Sequence, residues 1–141
     1  MFGGGGHDRL LGRGGADRLL GGGGRDDLFG GGAQDRIFGG KGADSLNGAA
    51  GNDSLNGGGG ADELTGGRGR DVLTGGGGRD VFDFLGSARL GVDRVTDFRN
   101  GQDKFRFFGD FETLDISQRG DDVVTRHAKG VVIVEDRSAS I

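Results

Sequence analysis

The chain has no Cys, Pro, Trp or Tyr among its 141 residues. Without Cys it can build neither a disulfide framework nor a thiolate metal site, and it offers no thiol nucleophile. Hydrophobic residues make up 32% of the chain, and ten Phe are its whole aromatic content. Ordinary soluble domains carry roughly 45–50% apolar residues, so a conventional close-packed core is not expected over much of this sequence. No apolar run approaches the ~18 residues needed to span a bilayer. A basic excess is missing too: 18 Lys and Arg stand against 22 Asp and Glu, for a net charge of −4, which argues against a nucleic-acid binder. Met1-Phe2-Gly3-Gly4 has neither a basic n-region nor an apolar h-region. An exported form is therefore expected to travel by a route that needs no N-terminal signal peptide.

Catalytic constellations are equally scarce. His7 and His127 are the two histidines, and neither sits in a His-Glu-x-x-His pattern. Both are expected at the surface, His7 in a repeat loop and His127 in a turn. Lys41 is followed by Gly42 instead of Ser or Thr, so no phosphate loop is present. The adjacent acids Asp26-Asp27 and Asp121-Asp122 read as turn acids and not as an acid/base pair. No residue is assigned a catalytic role, and the chain is read as a non-enzyme.

What the sequence has in excess is Gly, 36 in all, and its distribution is periodic. Asp8, Asp17, Asp26, Asp35, Asp44, Asp53, Asp62, Asp71 and Asp80 recur every nine residues without insertion or deletion. Two places after each stands a large apolar residue: Leu10, Leu19, Leu28, Ile37, Leu46, Leu55, Leu64, Leu73 and Phe82. The places before are mostly Gly, as in Gly57-Gly58-Gly59-Gly60-Ala61-Asp62-Glu63-Leu64-Thr65. A flexible linker would lack this phasing. Gly at the first, second and fourth places permits positive φ and close backbone approach. The last three residues suit a very short strand with one side chain turned inward. Such units are expected to stack as a coil of short parallel strands.

One inward side chain per nine residues is too little apolar burial to order so glycine-rich a chain. Stacking would also bring the aspartates into rows of like charge. A bound cation answers both problems. The available ligands are Asp oxygens and glycine-loop carbonyls, a hard oxygen set that suits several Ca²⁺ ions better than Mg²⁺. The nine aspartates are the candidate metal ligands.

The repeats resemble the RTX (repeats-in-toxin) nonapeptide calcium-binding family. That resemblance implies an all-β fold, a parallel β-roll with two nonapeptides per turn, so that alternate repeats are neighbours. Calcium is then expected between Asp8 and Asp26, between Asp17 and Asp35, and onward, in about seven pairings. Three departures bear on this. Ala33 replaces the fourth-place Gly of its repeat, and Arg13 and Ala49 replace second-place Gly. Sites using these loops are expected to be weaker or empty.

Composition changes at Asp83, giving an expected division into a nine-repeat roll over 3–83 and a C-terminal β cap over 84–141. Longer alternating strands are predicted at Val92–Phe98, Lys104–Phe108, Asp122–Arg126 and Val131–Glu135, with a hairpin connection at His127-Ala128-Lys129-Gly130. Gly91-Val92-Asp93-Arg94-Val95-Thr96-Asp97-Phe98 and Asn100-Gly101-Gln102-Asp103-Lys104-Phe105 resemble the segment that follows the repeats in serralysin-type proteases and alginate epimerase modules. By that analogy the segment covers the open end of the roll, and Asp93 is a candidate for one more terminal ligand.

Arg9, Arg18, Arg25, Arg36, Arg70 and Arg79 flank the ladder aspartates. They read first as charge balance within the array and second as a basic face for an acidic polysaccharide. The leading functional expectation is a secreted module whose folding is driven by Ca²⁺ after export. The family resemblance implies the type I secretion machinery as partner and a C-terminal signal near Val131–Ile141. The alternatives are the C-terminal module of a larger secreted protease, lipase or epimerase, and an adhesion or polysaccharide-binding module.

Overall fold

The computed structural model describes residues 1–85, 91–99, 101–108, 115–119, 122–127 and 130–136. The strands run β1 Phe2–Gly5, β2 Arg9–Gly14, β3 Arg18–Gly23, β4 Asp27–Gly32, β5 Arg36–Lys41, β6 Ser45–Ala50, β7 Ser54–Gly59, β8 Glu63–Arg68 and β9 Val72–Gly77. They continue as β10 Val81–Leu85, β11 Val92–Phe98, β12 Lys104–Phe108, β13 Asp115–Arg119, β14 Asp122–His127 and β15 Gly130–Asp136. Successive strands alternate between two sheets. One is ordered β1-β3-β5-β7-β9-β11-β15-β14-β13, the other β12-β10-β8-β6-β4-β2. Two nonapeptides therefore complete one coil of a parallel β-roll, as expected. Each repeat pairs with its second neighbour, as in Leu10↔Leu28 and Leu19↔Ile37.

The repeat strands β2 to β9 are six residues long instead of three. The added residues are the glycines of the next repeat, which pair in register with the glycines one coil away, as Gly22 does with Gly40. With no Cβ between coils, backbone can meet backbone through the loop itself.

Inside the roll the inward residues form one column. Leu19, Leu28, Ile37, Leu55, Leu64, Leu73 and Phe82 are fully buried, and Leu10 and Leu46 nearly so. The two sheets do not stop at Asp83. β11 pairs in parallel with β9, and β12 with β10, so Val95 and Phe84 extend the column. Phe98, Phe105 and Phe107 then pack against its end. Phe98 stacks on Phe105 with ring centroids 4.2 Å apart, and Phe107 stacks on Phe84 at 5.5 Å. Aromatic bulk closes what the leucine column leaves open.

β11 and β12 coincide with the predicted strands, β14 extends its own by His127, and β15 extends its own by one residue at each end. β14 and β15 are antiparallel, with His127 opposite Gly130. Ala128 and Lys129 of the predicted hairpin connection lie outside the described residues, as do 137–141 of the expected secretion signal. β13, antiparallel to β14, has no counterpart among the predicted strands. Its sequence, Asp115-Ile116-Ser117-Gln118-Arg119, carries little β propensity and owes its conformation to the strand beside it.

Two places of each repeat need positive φ. The second place has it in all cases, from Gly4 at 114° to Gly76 at 97°, and so does the fourth, as at Gly24 with 116°. The three departures obey the same rule: Arg13, Ala33 and Ala49 adopt φ of 78°, 75° and 73°. A side chain there is strained, at about 1–3 kcal/mol per residue. Arg13 lies on β2, the edge strand of its sheet, while Ala49 on β6 has a coil on either side.

This packing sets the response to substitution. Ala49→Gly raises stability by about 1 kcal/mol, because the strain relieved exceeds the added freedom of the unfolded chain. Leu46→Ala lowers it by about 2–5 kcal/mol, whereas Leu11→Ala on the exposed face stays within about 0.5 kcal/mol. Urea unfolding of the calcium-loaded protein measures all three.

Candidate metal centre

Each ladder aspartate sits where its loop meets the next strand, and from Asp26 onward its carboxylate turns toward the preceding coil. The backbone N–H of Asp8 donates to Asp26 Oδ1 at 2.8 Å, Asp17 to Asp35 at 2.8 Å, and Asp26 to Asp44 at 2.9 Å. The pattern continues through Asp35–Asp53, Asp44–Asp62, Asp53–Asp71 and Asp62–Asp80. Asp71 and Asp80 in turn donate to Asp93 and Asp103, at 3.0 Å each. Two rows result, one along each edge of the roll. All nine predicted aspartates lie in them, and Asp93 extends one row.

The second carboxylate oxygen is the unusual one. Oδ2 of Asp8, Asp17, Asp26, Asp35, Asp44, Asp53, Asp62, Asp71, Asp80 and Asp93 is buried and has no hydrogen-bond partner. An orphaned buried charge is expensive unless a counter-charge reaches it. An ideal Cβ on Gly21 would fall 2.5 Å from Asp26 Oδ2 and 2.6 Å from the Gly39 carbonyl oxygen. No carbon fits there, so first-place Gly is required for space and not for φ. The two oxygens converge from adjacent coils over a residue that leaves them room. The same pairing of carboxylate and carbonyl recurs over Gly3, Gly12, Gly30, Gly39, Gly48 and Gly57. Over Gly66 and Gly75 the nearest atoms are those of the Asp71 and Asp80 side chains.

Among the described residues no three His, Cys, Asp or Glu side chains come together. A cation at these rows would be held by carboxylate oxygens supplemented with main-chain carbonyls. That all-oxygen set fits Ca²⁺, which accepts six to eight oxygens in flexible geometry at about 2.3–2.6 Å.

Electrostatics point the same way. Burial raises the carboxyls of Asp62 and Asp71 from the ordinary 3.8 to about 6 and that of Asp93 to about 7. The backbone N–H donated from the neighbouring coil opposes the shift, and the neighbouring carboxylate adds to it. Asp44, Asp53 and Asp80 are raised for the same leading reason, burial.

Several side chains with a clear local role do not stand out in the sequence. Asp103 is closed: its Oδ1 accepts from Asp80 N and its Oδ2 from Arg99 N at 2.8 Å. Asp97 takes the amides of Gly75 and Gly76, at 2.8 Å each, in place of a further coil. Asp83 is buried and holds Arg106 through Nε at 2.6 Å, and Arg106 also reaches Glu63 at 2.8 Å. Their only sequence signal is Asp within short turns and strands. His7 is exposed as expected, its Nδ1 accepting from Arg25 N at 3.2 Å. Of the adjacent acids, Asp26 is buried in the ladder and Asp27 exposed, while Asp121 lies outside the described residues.

Residues 2–37, 29–64 and 56–86 match the family model of the RTX calcium-binding nonapeptide repeat, and the chain belongs to that family. It is a calcium-binding repeat module folded as a parallel β-roll. Among solved structures it is similar to the extracellular lipase LipA from Serratia marcescens, at 20% identity and a TM-score of 0.47. That match covers 94% of this chain and 35% of the lipase, so the chain spans about a third of the lipase's length. It is also similar to the AlgE6R3 subunit from the Azotobacter vinelandii mannuronan C5-epimerase, at 32% identity and a TM-score of 0.33, covering 82% of this chain and 73% of that one. No curated protein matches the chain.

The raised carboxyls fix a pH dependence. A group whose folded value exceeds its unfolded 3.8 binds protons more tightly when folded, so the metal-free roll gains stability as pH falls from about 7 toward 4. In chelator, far-UV circular dichroism should show more β structure at pH 4.5 than at pH 7.5. Less β structure in acid would contradict the buried-carboxylate geometry.

Proposed function

We propose that Ca²⁺ completes the two aspartate rows and that its binding drives the folding of the roll. The observation that carries this reading is the buried, unpartnered Oδ2 on every ladder aspartate. Asp8, Asp17, Asp26, Asp35, Asp44, Asp53, Asp62, Asp71 and Asp80 are the carboxylate ligands, with Asp93 extending one row. The seven glycines over which a carboxylate and a carbonyl converge support about seven ions. Bound calcium supplies positive charge to carboxylates that the metal-free fold strains to bury. Arg13, Ala33 and Ala49 keep the loop conformation of their repeats, so the sites they border are weakened through strain and not through loss of shape.

On this reading the chain stays extended where calcium is scarce and folds where it is plentiful. That behaviour suits passage through a type I secretion channel followed by folding outside the cell. Membership of the RTX calcium-binding family supports an extracellular location. The same reading accommodates a C-terminal module within a larger secreted enzyme, with the chemistry residing elsewhere.

Far-UV circular dichroism during a Ca²⁺ titration, with Mg²⁺ as control, tests the proposal. A cooperative coil-to-β transition specific to Ca²⁺ is expected. A spectrum already β-rich in chelator at neutral pH, or one unresponsive to Ca²⁺, would sink it. Asp53→Asn keeps the hydrogen-bond acceptor and removes the charge, so it should shift the titration midpoint to higher Ca²⁺. Asp27→Asn, an exposed acid outside the rows, should leave the midpoint unchanged.

A further inference from the structure

The outer faces of the two sheets differ in charge. On the β2–β12 sheet Arg9 stands in register with Asp27, and Arg106 joins Asp83 and Glu63, while Arg13 and Arg68 stand opposite Gly31 and Ala50 at the loop ends of their strands. The other sheet has no such balance. Its repeat strands β1, β3, β5, β7 and β9 contain no Asp or Glu at all. Arg18 and Arg36 lie directly opposite each other on β3 and β5. Like charges so placed repel. Both arginines are exposed, and neither makes an ion pair with any described residue.

Beside this pair runs an apolar column on the same face. Phe2, Leu20 and Phe38 follow one another in register, Phe2 exposed and the other two half-buried. Further along, the column turns polar with Asn56 and Thr74. Lys41, exposed at the end of β5, adds a third cation. Arginine beside exposed apolar side chains, with no acid among them, matches a surface that offers anionic headgroups above an apolar interior. A sugar polymer would want bare aromatic faces, but Arg18 already lies over the Phe38 ring at 5.7 Å.

We infer that the outer face of β1, β3 and β5 docks on anionic phospholipid, with headgroup phosphate bridging Arg18 and Arg36 and with Phe2 and Leu20 entering the interface. The face exists only in the folded roll, so the inference rests on the calcium reading for when it is displayed. Calcium in the aspartate rows adds positive charge behind it.

Cosedimentation of the full chain with phosphatidylglycerol/phosphatidylcholine vesicles tests this, with circular dichroism on the same samples. The vesicle comparison is run in whichever buffer the dichroism shows to be folded. A failure of calcium to fold the chain is thereby read separately. Binding should require phosphatidylglycerol and weaken with salt. Arg18→Ser with Arg36→Ser, mimicking Ser54 of the same column, should lower partition on the order of 30-fold at ~1 kcal/mol per arginine. Leu20→Asn with Phe38→Asn, mimicking Asn56, should lower it as well, and Arg9→Ser on the opposite sheet should not. Equal binding to pure phosphatidylcholine, or a folded Arg18→Ser/Arg36→Ser variant that binds like the parent, would overturn the proposal. Release from the vesicles by a soluble polyuronate that binds through the same arginines would assign the face to a polysaccharide instead.

Discussion

A half-satisfied carboxylate is the constraint on which the rest of this roll depends. From Asp26 to Asp80 each ladder Asp spends Oδ1 on the amide of the coil before it, and every ladder Asp leaves Oδ2 buried without a partner. That geometry accounts for the repeat more fully than the leucine column does. First-place Gly must lack a side chain because Oδ2 and a neighbouring carbonyl converge on the space a Cβ would fill. Second- and fourth-place residues must take positive φ so that the loop wraps the carboxylate, and even Ala and Arg are bent into that region when they occur there. The inward Leu then fills a width already set by the loops. Register is fixed twice over, by apolar residues inside and by the aspartate rows at the edges, which leaves little room for a slip between coils.

Ending such a roll is a different chemical problem from propagating it. A further repeat would present both a new carboxylate and a new main chain, and the C-terminal segment supplies these from separate residues. Asp97 offers its two oxygens to Gly75 and Gly76, where the next coil's backbone would have stood. Asp103 accepts from Asp80 and then turns its other oxygen to Arg99, which closes that row with protein donors alone. Asp93 closes nothing: its Oδ2 stays buried and bare, like those of the repeats. The two edges therefore end unequally, one sealed by the chain and one ending on a buried, unpartnered carboxylate oxygen. Between them the Phe82, Phe98 and Phe105 rings pack together where the leucine column ends.

How much of this is legible in the sequence follows from how often each constraint repeats. The spacing of Asp8 through Asp80, with an apolar residue always two places on, is enough to indicate the coil, its core and its ligand rows, because one local rule is stated nine times. Strand length reads too short because glycine in a strand looks like a turn until its register partner one coil away is known. The closing residues are harder still. Asp97 and Asp103 are each stated once and look like aspartates of any turn; only the coil they terminate gives them meaning. Charge balance across the array is the plain reading of the arginines. It holds where Arg9 faces Asp27 and fails where Arg18 faces Arg36. A count of charges cannot separate these cases, since the balance is local to a face.

On the proposed calcium reading, the ladder position is Asp and not Asn for a chemical reason. Asn could accept the same amide hydrogen bond. Asn52, one place earlier in its repeat, accepts an inter-coil amide bond in the opposite sense, its Oδ1 taking Arg70 N of the following coil at 2.9 Å with no charge to bury. An Asn ladder would carry a neutral side-chain amide in place of the bare Oδ2, near the carbonyl that faces it. Such a roll would have no rows of like charge and no reason to await an ion. Asn is used freely elsewhere in the repeats, at Asn47, Asn52 and Asn56, yet all nine ladder positions are Asp. Burial raises the carboxyls of Asp62 and Asp71 well above their ordinary value, so the fold bears a penalty at neutral pH that a neutral amide would not. On the proposed calcium reading, the penalty at Asp44, Asp53, Asp62, Asp71, Asp80 and Asp93, relieved by a proton or a cation, couples folding to the solution outside the chain.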